Sequence, residues 1–180
     1  MKILKIVLIV IVAIIGLALI TALFVKKEYA VEREVVINKS KEEVFNYIKY
    51  LKNQDNFSVW ANIDTSMKKE YKGTDATVGF VSSWESTNKN VGKGEQEIKA
   101  IKEGERIDYE LRFIEPFEAT DNAYMVTEKV DENQTKVKWG FNGKMNYPMN
   151  LMLLFMDMEA MLGKDLQQGL ENLKVILEKK

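Results

Sequence analysis

The residues best suited to chemistry in this sequence are carboxylates in two alternating runs, Glu95 with Glu97 and Asp108 with Glu110. Paired carboxylates can share the acid and base roles of a catalytic site. Both runs alternate with other residues at the period of a β-strand, so their side chains point to the same face of a sheet. The apolar residues take the opposite parity, and we therefore interpret the carboxylates as a solvated outer face.

Two residue types that carry much of protein chemistry are missing. The 180 residues contain no cysteine and no histidine. Thiol nucleophiles, disulfides and thiolate or imidazole metal sites are therefore excluded, and with them Ser-His-Asp catalysis and zinc hydrolysis. The net charge of −1 gives no basic surface for nucleic acid. We predict no metal, no cofactor and no nucleic-acid partner, and the sequence does not indicate a protein partner.

A methionine cluster near the C-terminus is the second candidate for function. Five methionines fall between positions 149 and 161. Methionine is flexible and polarizable, which suits a cavity that adapts to an apolar ligand. The alternative is ordinary core packing, and the sequence leaves both interpretations open.

Aromatic residues with a polar atom form the third candidate. Trp84, Tyr109, Tyr124 and Trp139 occupy inward positions of predicted strands. Such rings need a polar partner when buried. In a cavity they would orient a ligand, whereas in a filled core they would bond the backbone or water.

Two charged residues also fall on inward positions. Arg33 follows the apolar parity of the first strand, and Asp165 lies within the apolar stripe of the last helix. A buried charge needs a partner. The simpler interpretation is that each lies at an edge of the core and reaches water.

These side chains need a scaffold, and the sequence pattern predicts one. Alternation over residues 29–37 predicts a first strand. Ser40 and Glu43 form a capping box that begins an amphipathic helix. About six antiparallel strands follow between positions 67 and 145, separated by turn signals. Residues 148–180 are apolar at every third or fourth position, which predicts a single long helix lying on the sheet.

The N-terminus has a different character from the rest of the chain. Residues 6–25 carry no charge, and a helix of that length matches the hydrocarbon core of a bilayer. The best signal-peptidase candidate, Ile20-Thr21-Ala22, lacks a small residue at its first position. We predict an uncleaved single-pass anchor at 1–27 and one domain at 28–180. Lysines flank both ends of the span, and the short basic N-terminus favours the domain on the outer face.

The order of these elements resembles the START-like, or SRPBCC, superfamily, and within it the polyketide cyclase/dehydrase group. The similarity covers about residues 30–178 and leaves the N-terminal anchor outside the family pattern. The stretches that carry it are residues 35–37, 41–48, 78–80, 92–98, 137–139 and 169–174, together with Trp84. Each is weak alone, and it is their order that makes the resemblance specific.

The resemblance implies an α+β helix-grip fold, in which a curved antiparallel sheet of about seven strands surrounds a long C-terminal helix. Such folds commonly hold an apolar or amphipathic small molecule between sheet and helix. The residues expected to line that cavity are Phe80, Trp84, Ile98, Tyr109, Leu111, Phe113, Tyr124, Trp139, Phe141, Met152, Phe155, Met156 and Met158.

Three functions are compatible with this pattern. The first is a membrane-anchored binding domain for a hydrophobic small molecule or lipid. The second is a cyclase/dehydrase-like enzyme that works without His or Cys, and the third is a ligand-free protein-interaction or stress-response module with a filled core. We favour the first and assign no catalytic residue, because fold alone does not decide activity.

Overall fold

The elements follow one another in the predicted order of helix, strand, short helices, six strands and a final helix. The computed structural model describes residues 2–179. Its helices are α1 (Lys2–Phe24), α2 (Lys41–Ile48), α3 (Gln54–Phe57) and α4 (Met158–Glu178), with 3₁₀ turns at Leu51–Asn53, Trp60–Asn62 and Met149–Leu154. Its strands are β1 (Glu28–Ile37), β2 (Lys68–Lys72), β3 (Val81–Glu85), β4 (Lys93–Lys102), β5 (Arg106–Glu115), β6 (Ala119–Lys129) and β7 (Thr135–Lys144).

The seven strands form one antiparallel sheet in the order β1-β7-β6-β5-β4-β3-β2. Consecutive strands from β2 to β7 pair as a meander, and β1 returns to pair with β7. Helix α4 packs mainly against β1, and α3 packs against α4. The predicted α+β fold class, with seven antiparallel strands and a C-terminal helix, is confirmed.

The core lies between the inner face of the sheet and α4. Leu166, Leu170 and Leu173 on α4 are fully buried against it. Gly169 allows a close approach between helix and sheet, because a Cβ there would lie 2.7 Å from Cζ3 of Trp139. Helix α2 closes another side and begins with the predicted capping box, in which the Glu43 N–H donates to Ser40 Oγ over 3.3 Å.

The prediction of one continuous helix over 148–180 is wrong. The structure has a 3₁₀ turn at Met149–Leu154 and begins α4 only at Met158. Asp157 is the N-cap of α4, and its Oδ1 accepts a hydrogen bond from the Ala160 N–H over 2.9 Å. A side-chain cap satisfies an N–H that a continuous helix would bond to its own backbone, so the cap starts a new helix here.

The predicted inward orientation of Tyr124 is also wrong. The buried residues of β6 are Asp121, Ala123, Met125 and Thr127, which puts Tyr124 on the outer face of the sheet. Its hydroxyl donates to Glu32 Oε2 over 2.5 Å, and the Arg106 guanidinium lies 4.1 Å from its ring centroid. Apolar residues occupy both parities of this strand, so periodicity alone did not define its register.

Helix α1 differs from the other helices because its apolar surface is uncovered. Apart from two lysines near its start it consists almost entirely of apolar residues, and most of its large side chains are exposed. By length and composition it is able to cross a membrane, although an N-terminal signal sequence would meet the same criteria. Its last turn contacts the domain through Asn150, whose Nδ2 donates to the carbonyls of Ala22 over 2.7 Å and Val25 over 3.0 Å.

Candidate ligand-binding cavity

A cavity of about 380 Å³ lies between the inner face of the sheet, the segment 51–63 and the N-terminal half of α4. This volume falls within the range of ~300–1,000 Å³ that is typical of small-molecule sites. Strands β3, β5 and β7 supply an apolar wall, and Leu162 and Leu166 of α4 face it. The sheet residues in that wall are Trp84, Leu111, Phe113, Trp139 and Phe141.

Aromatic rings fix the shape of this wall. Trp84 meets Phe113 edge to face, with ring centroids 6.0 Å apart. Gly94 lies between these two residues in the sheet and pairs with both. It leaves room for the Trp84 ring, because a Cβ at Gly94 would lie 2.5 Å from Cζ2 of Trp84. Trp139 is held edge to face by Phe57 at 5.5 Å and by Trp60 at 6.0 Å. Edge-to-face pairs have a defined geometry, so the wall is preorganised for an apolar ligand.

A polar group interrupts the apolar lining at one side. Lys69 Nζ lies 2.9 Å from Asp55 Oδ1 and donates a second hydrogen bond to the Ala61 carbonyl over 3.2 Å. The Tyr71 hydroxyl donates to Asp55 Oδ2 over 2.5 Å. Burial, followed by this hydrogen bond to a carboxylate, raises the pKa of Tyr71, so the tyrosine remains a neutral donor. The arrangement can hold a polar end of a ligand.

Two polar side chains, Gln54 and Tyr109, are neighbours in the interior, and Gln54 borders the cavity. Gln54 lines the cavity, and neither its Nε2 nor the Tyr109 hydroxyl has a well-formed hydrogen bond within residues 2–179. Burial raises the pKa of Tyr109, and the neighbouring Gln54 amide opposes that change in part. A buried polar group without a partner lowers the stability of the fold by about 1–3 kcal/mol. A ligand oxygen that accepted a hydrogen bond from Gln54 Nε2 would remove this penalty.

The structure divides the predicted cavity residues of the sheet into two sets. Trp84, Leu111, Phe113, Trp139 and Phe141 line the cavity. Phe80, Ile98 and Tyr109 are instead fully buried in the core and do not line it, and Tyr124 lies on the outer face.

The predicted residues from the methionine cluster do not line this cavity. Phe155 is 87% exposed and Met152 is 40% exposed, while Met156 and Met158 are half-buried. The break before α4 explains the difference, because it turns the segment 149–157 away from the sheet and towards the end of α1.

Sequence reasoning missed the segment 51–63 and strand β2 as cavity walls. The signal for β2 was present, since Met67, Lys69 and Tyr71 alternate at the period of a strand. In the structure Lys69 pairs with Trp84 across β2 and β3, which puts both on the inner face. The short helical turns before β2 are too brief for periodicity to orient.

The outer-face carboxylates form an ion-pair network. Arg112 donates through Nε to Glu95 over 2.5 Å and through Nη1 to Glu97 over 2.7 Å and to Glu110. The hydrogen bond from Arg112 is the main reason that the pKa of Glu97 is lowered. These contacts agree with the surface interpretation. Within residues 2–179, no cluster of three or more acidic side chains is arranged to hold a metal ion.

Both charged residues on inward positions lie at an edge of the core. Arg33 forms an ion pair with Glu159 at the start of α4, with Nη1 2.5 Å from Oε1. The guanidinium of Arg33 packs directly over Gly163, because a Cβ at Gly163 would lie 2.0 Å from Nη2 of Arg33. Asp165 is half-buried.

Comparison with solved structures identifies the fold of this chain. No family model matches the chain, and no curated protein matches it. Norcoclaurine synthase from Thalictrum flavum, solved in complex with dopamine and hydroxybenzaldehyde, is similar over 85% of this chain and 88% of its own, with 9% identity and a TM-score of 0.61. The chain has the helix-grip fold.

Two further helix-grip structures extend the comparison. The protein XoxI from Bacillus cereus is similar over 83% of this chain and 95% of its own, with 14% identity and a TM-score of 0.59. Ara h 8.0201 is similar over 85% of this chain and 99% of its own, with 12% identity and a TM-score of 0.54. At these identities the similarity establishes the fold and leaves the activity open.

Proposed function

We propose that this chain is a membrane-anchored domain that binds a hydrophobic or amphipathic small molecule, such as a single-chain lipid, in its cavity. The cavity of about 380 Å³ is the observation that carries the proposal. Its wall is mostly apolar, and burial of apolar ligand surface is worth about 25 cal/mol per Å² before the entropic costs of binding. Micromolar affinity is therefore within reach of a ligand with one acyl chain or a fused ring system.

The polar groups of the cavity define the other end of the ligand. Lys69 uses two of its three ammonium donors on Asp55 and the Ala61 carbonyl. The third can donate to an acceptor on the ligand, and Gln54 offers a further donor. We therefore propose an amphipathic ligand whose carboxylate, phosphate or carbonyl oxygen meets these donors.

Two features of the cavity favour binding over the alternative functions, and a solved structure with the same fold bears on the size of the ligand. The open volume beside Trp84 and Phe113 argues against a module with a filled core. The Lys69 ammonium is engaged by a carboxylate, which suits recognition of a polar group better than nucleophilic attack. Norcoclaurine synthase, with the same fold, holds two small aromatic molecules in its complex, which supports a ligand of modest size.

The membrane part of the proposal concerns residues 1–27, with the binding domain at 28–180. Helix α1 is long enough to span a hydrocarbon core of ~30 Å. Its exposed apolar surface has no cover within the described chain apart from the contacts near Ala22. We propose that it is a single-pass anchor, with the domain on the outer face of the membrane.

A substitution that fills the cavity tests the binding site. We expect Ala123→Phe, on the cavity side of β6, to reduce binding of dodecanoic acid to the full-length chain by at least about tenfold, because the added ring occupies ligand space. Asn122→Phe is the matched control, since its side chain lies on the outer face of the same strand. Native mass spectrometry of both variants released from non-ionic detergent would report the bound fatty acid.

The thermal midpoint separates a cavity from a solid core. If the space is open, Ala123→Phe leaves the midpoint close to that of the parent chain. If the space is filled, overpacking costs about 1–3 kcal/mol and the midpoint falls. Equal loading of Ala123→Phe and Asn122→Phe, or a parent chain that takes up no fatty acid, would show that this cavity is not a binding site.

A further inference from the structure

The strand register brings the cavity mouth and the end of α1 to the same end of the domain. Glu28 at the start of β1 pairs with Lys144, and Phe113 near the end of β5 pairs with Ala119. Lys93 pairs with Glu115 on one side and Glu85 on the other. The loops 86–92 and 116–118 therefore lie at the edge of the sheet that receives the chain from α1.

The cavity is bordered by these same loops. Asn90 and Val91 from one loop and Pro116 and Phe117 from the other are among its lining residues. The loops are in direct contact, because Gly92, with a φ of +65°, lies where a Cβ would be 2.0 Å from the Glu115 carbonyl oxygen. The mouth is thus formed by two loops that support each other.

Exposed apolar side chains are concentrated at this end. Phe155 is 87% exposed and Phe117 is 76% exposed. We name this set the apolar rim, and its members are Phe117, Tyr147, Met149, Met152, Leu154 and Phe155. Exposed apolar side chains gathered at one end of a domain are typical of a site of interaction with a protein or a membrane.

The position of the rim beside α1 identifies its partner as a lipid surface. Met149, Met152, Leu154 and Phe155 belong to, or directly follow, the 3₁₀ turn that carries Asn150, and Asn150 is fully buried with its amide bonded to the last turn of α1. A bilayer that accommodates α1 must end close to this turn. The rim then lies at the depth where apolar and aromatic side chains enter the headgroup boundary.

The charges at this end favour apolar contact over electrostatic attraction. Lys26, Lys27 and Lys144 are exposed there, but so are Glu28 and the pair Glu115 and Glu118. Because both signs are present, the surface is not selective for anionic lipid. Zwitterionic phosphatidylcholine is therefore a sufficient partner.

We propose that the apolar rim docks into the headgroup boundary of the bilayer that holds α1, so that the cavity mouth faces the lipid. The proposal rests on the membrane anchor proposed above. It adds that the domain contacts the bilayer and does not stand away from it in water.

Single labels test the proposal in the full-length chain, which contains no native cysteine. The positions are Phe117→Cys and Phe155→Cys in the rim, Glu132→Cys at the opposite end, and Ile14→Cys within α1. Each variant is labelled with an environment-sensitive fluorophore and reconstituted into phosphatidylcholine vesicles containing spin-labelled lipid. We expect quenching at positions 14, 117 and 155 and none at 132.

The outcomes separate the two proposals. Quenching at position 14 without quenching at 117 and 155 would overturn docking and leave the anchor intact. An unquenched label at position 14 would overturn the anchor and docking together.

A second pair of variants tests the apolar contact itself. The double variant Leu154→Ser, Phe155→Ser should lower the equilibrium constant for docking by roughly tenfold for each side chain removed. Quenching of the label at position 117 measures this change. Val130→Ser removes an exposed apolar side chain from the opposite end and should leave that quenching unchanged. Equal quenching in both variants would show that the rim does not hold the domain on the lipid.

Discussion

In the function that we propose, Lys69 is the residue on which selectivity for a polar ligand group depends. It is the cationic side chain among the lining residues, and Asp55 together with the Ala61 carbonyl fixes its position. An ammonium held in this way binds an anionic acceptor such as a carboxylate more strongly than a neutral one.

We expect Lys69→Met to weaken binding of dodecanoic acid far more than binding of dodecanol. The hydrogen bond between the ammonium and a carboxylate joins opposite charges and is stronger than the bond that a neutral hydroxyl accepts. Its loss should cost about 1.5–3 kcal/mol, or roughly tenfold or more in affinity for the acid. Mass-spectrometric titration of the two ligands would measure the difference. Lys68→Met is the control, because Lys68 precedes it on the exposed side of β2. An equal loss for both ligands would mean that Lys69 does not touch the headgroup.

The orientation of single residues was predictable where one parity of a strand was apolar. In β5 the inward positions Tyr109, Leu111 and Phe113 alternate with charged residues, and the prediction agrees with the structure. In β6 both parities carry apolar residues, and Tyr124 was assigned to the wrong face. On the outer face, Gly140 leaves room for the ring of Tyr124, since a Cβ at Gly140 would lie 2.1 Å from Cζ of Tyr124.

At the scale of elements, the break between the 3₁₀ turn and α4 decides where the methionines lie. The amphipathic period runs across the break, so periodicity predicted one helix. The local signal for the break was Asp157, an N-cap residue type directly before the helical run from Met158. The strands and the order of elements were predictable because each has its own apolar period, whereas the cavity wall at 51–63 depends on tertiary packing.

Asp157→Ala should lower the free energy of unfolding by about 0.5–2 kcal/mol, the usual effect of losing a side-chain N-cap. Asp157→Asn should keep most of that stability, because an asparagine oxygen can accept the same hydrogen bond from Ala160. Chemical denaturation of the two variants in the same detergent would measure the difference. An Asp157→Ala chain as stable as the parent would mean that α4 does not depend on this cap.

At the scale of the whole molecule, α1 decides whether the domain is free or bound to a membrane. We expect the full-length chain to stay in the membrane fraction after a carbonate wash. A charged residue at the centre of a membrane span costs about 2.5–3.5 kcal/mol in insertion, so Ile14→Arg should shift part of the protein to the supernatant, whereas Ile14→Leu should not. Release of the parent chain, or a mature N-terminus near Leu23, would refute the anchor.

If α1 is the membrane anchor that we propose, its short connection to β1 limits the membrane surface that the domain can reach. Residues 25–27 join the two elements, and three extended residues span only about 10 Å. The amide of Asn150 shortens this tether further by holding the last turn of α1 against the 3₁₀ turn. A domain on a long flexible linker could reach across to an apposed membrane, whereas a domain tethered in this way would reach only the leaflet next to its own anchor. A ligand bound as we propose would therefore be taken from and returned to that leaflet, unless a soluble carrier collects it.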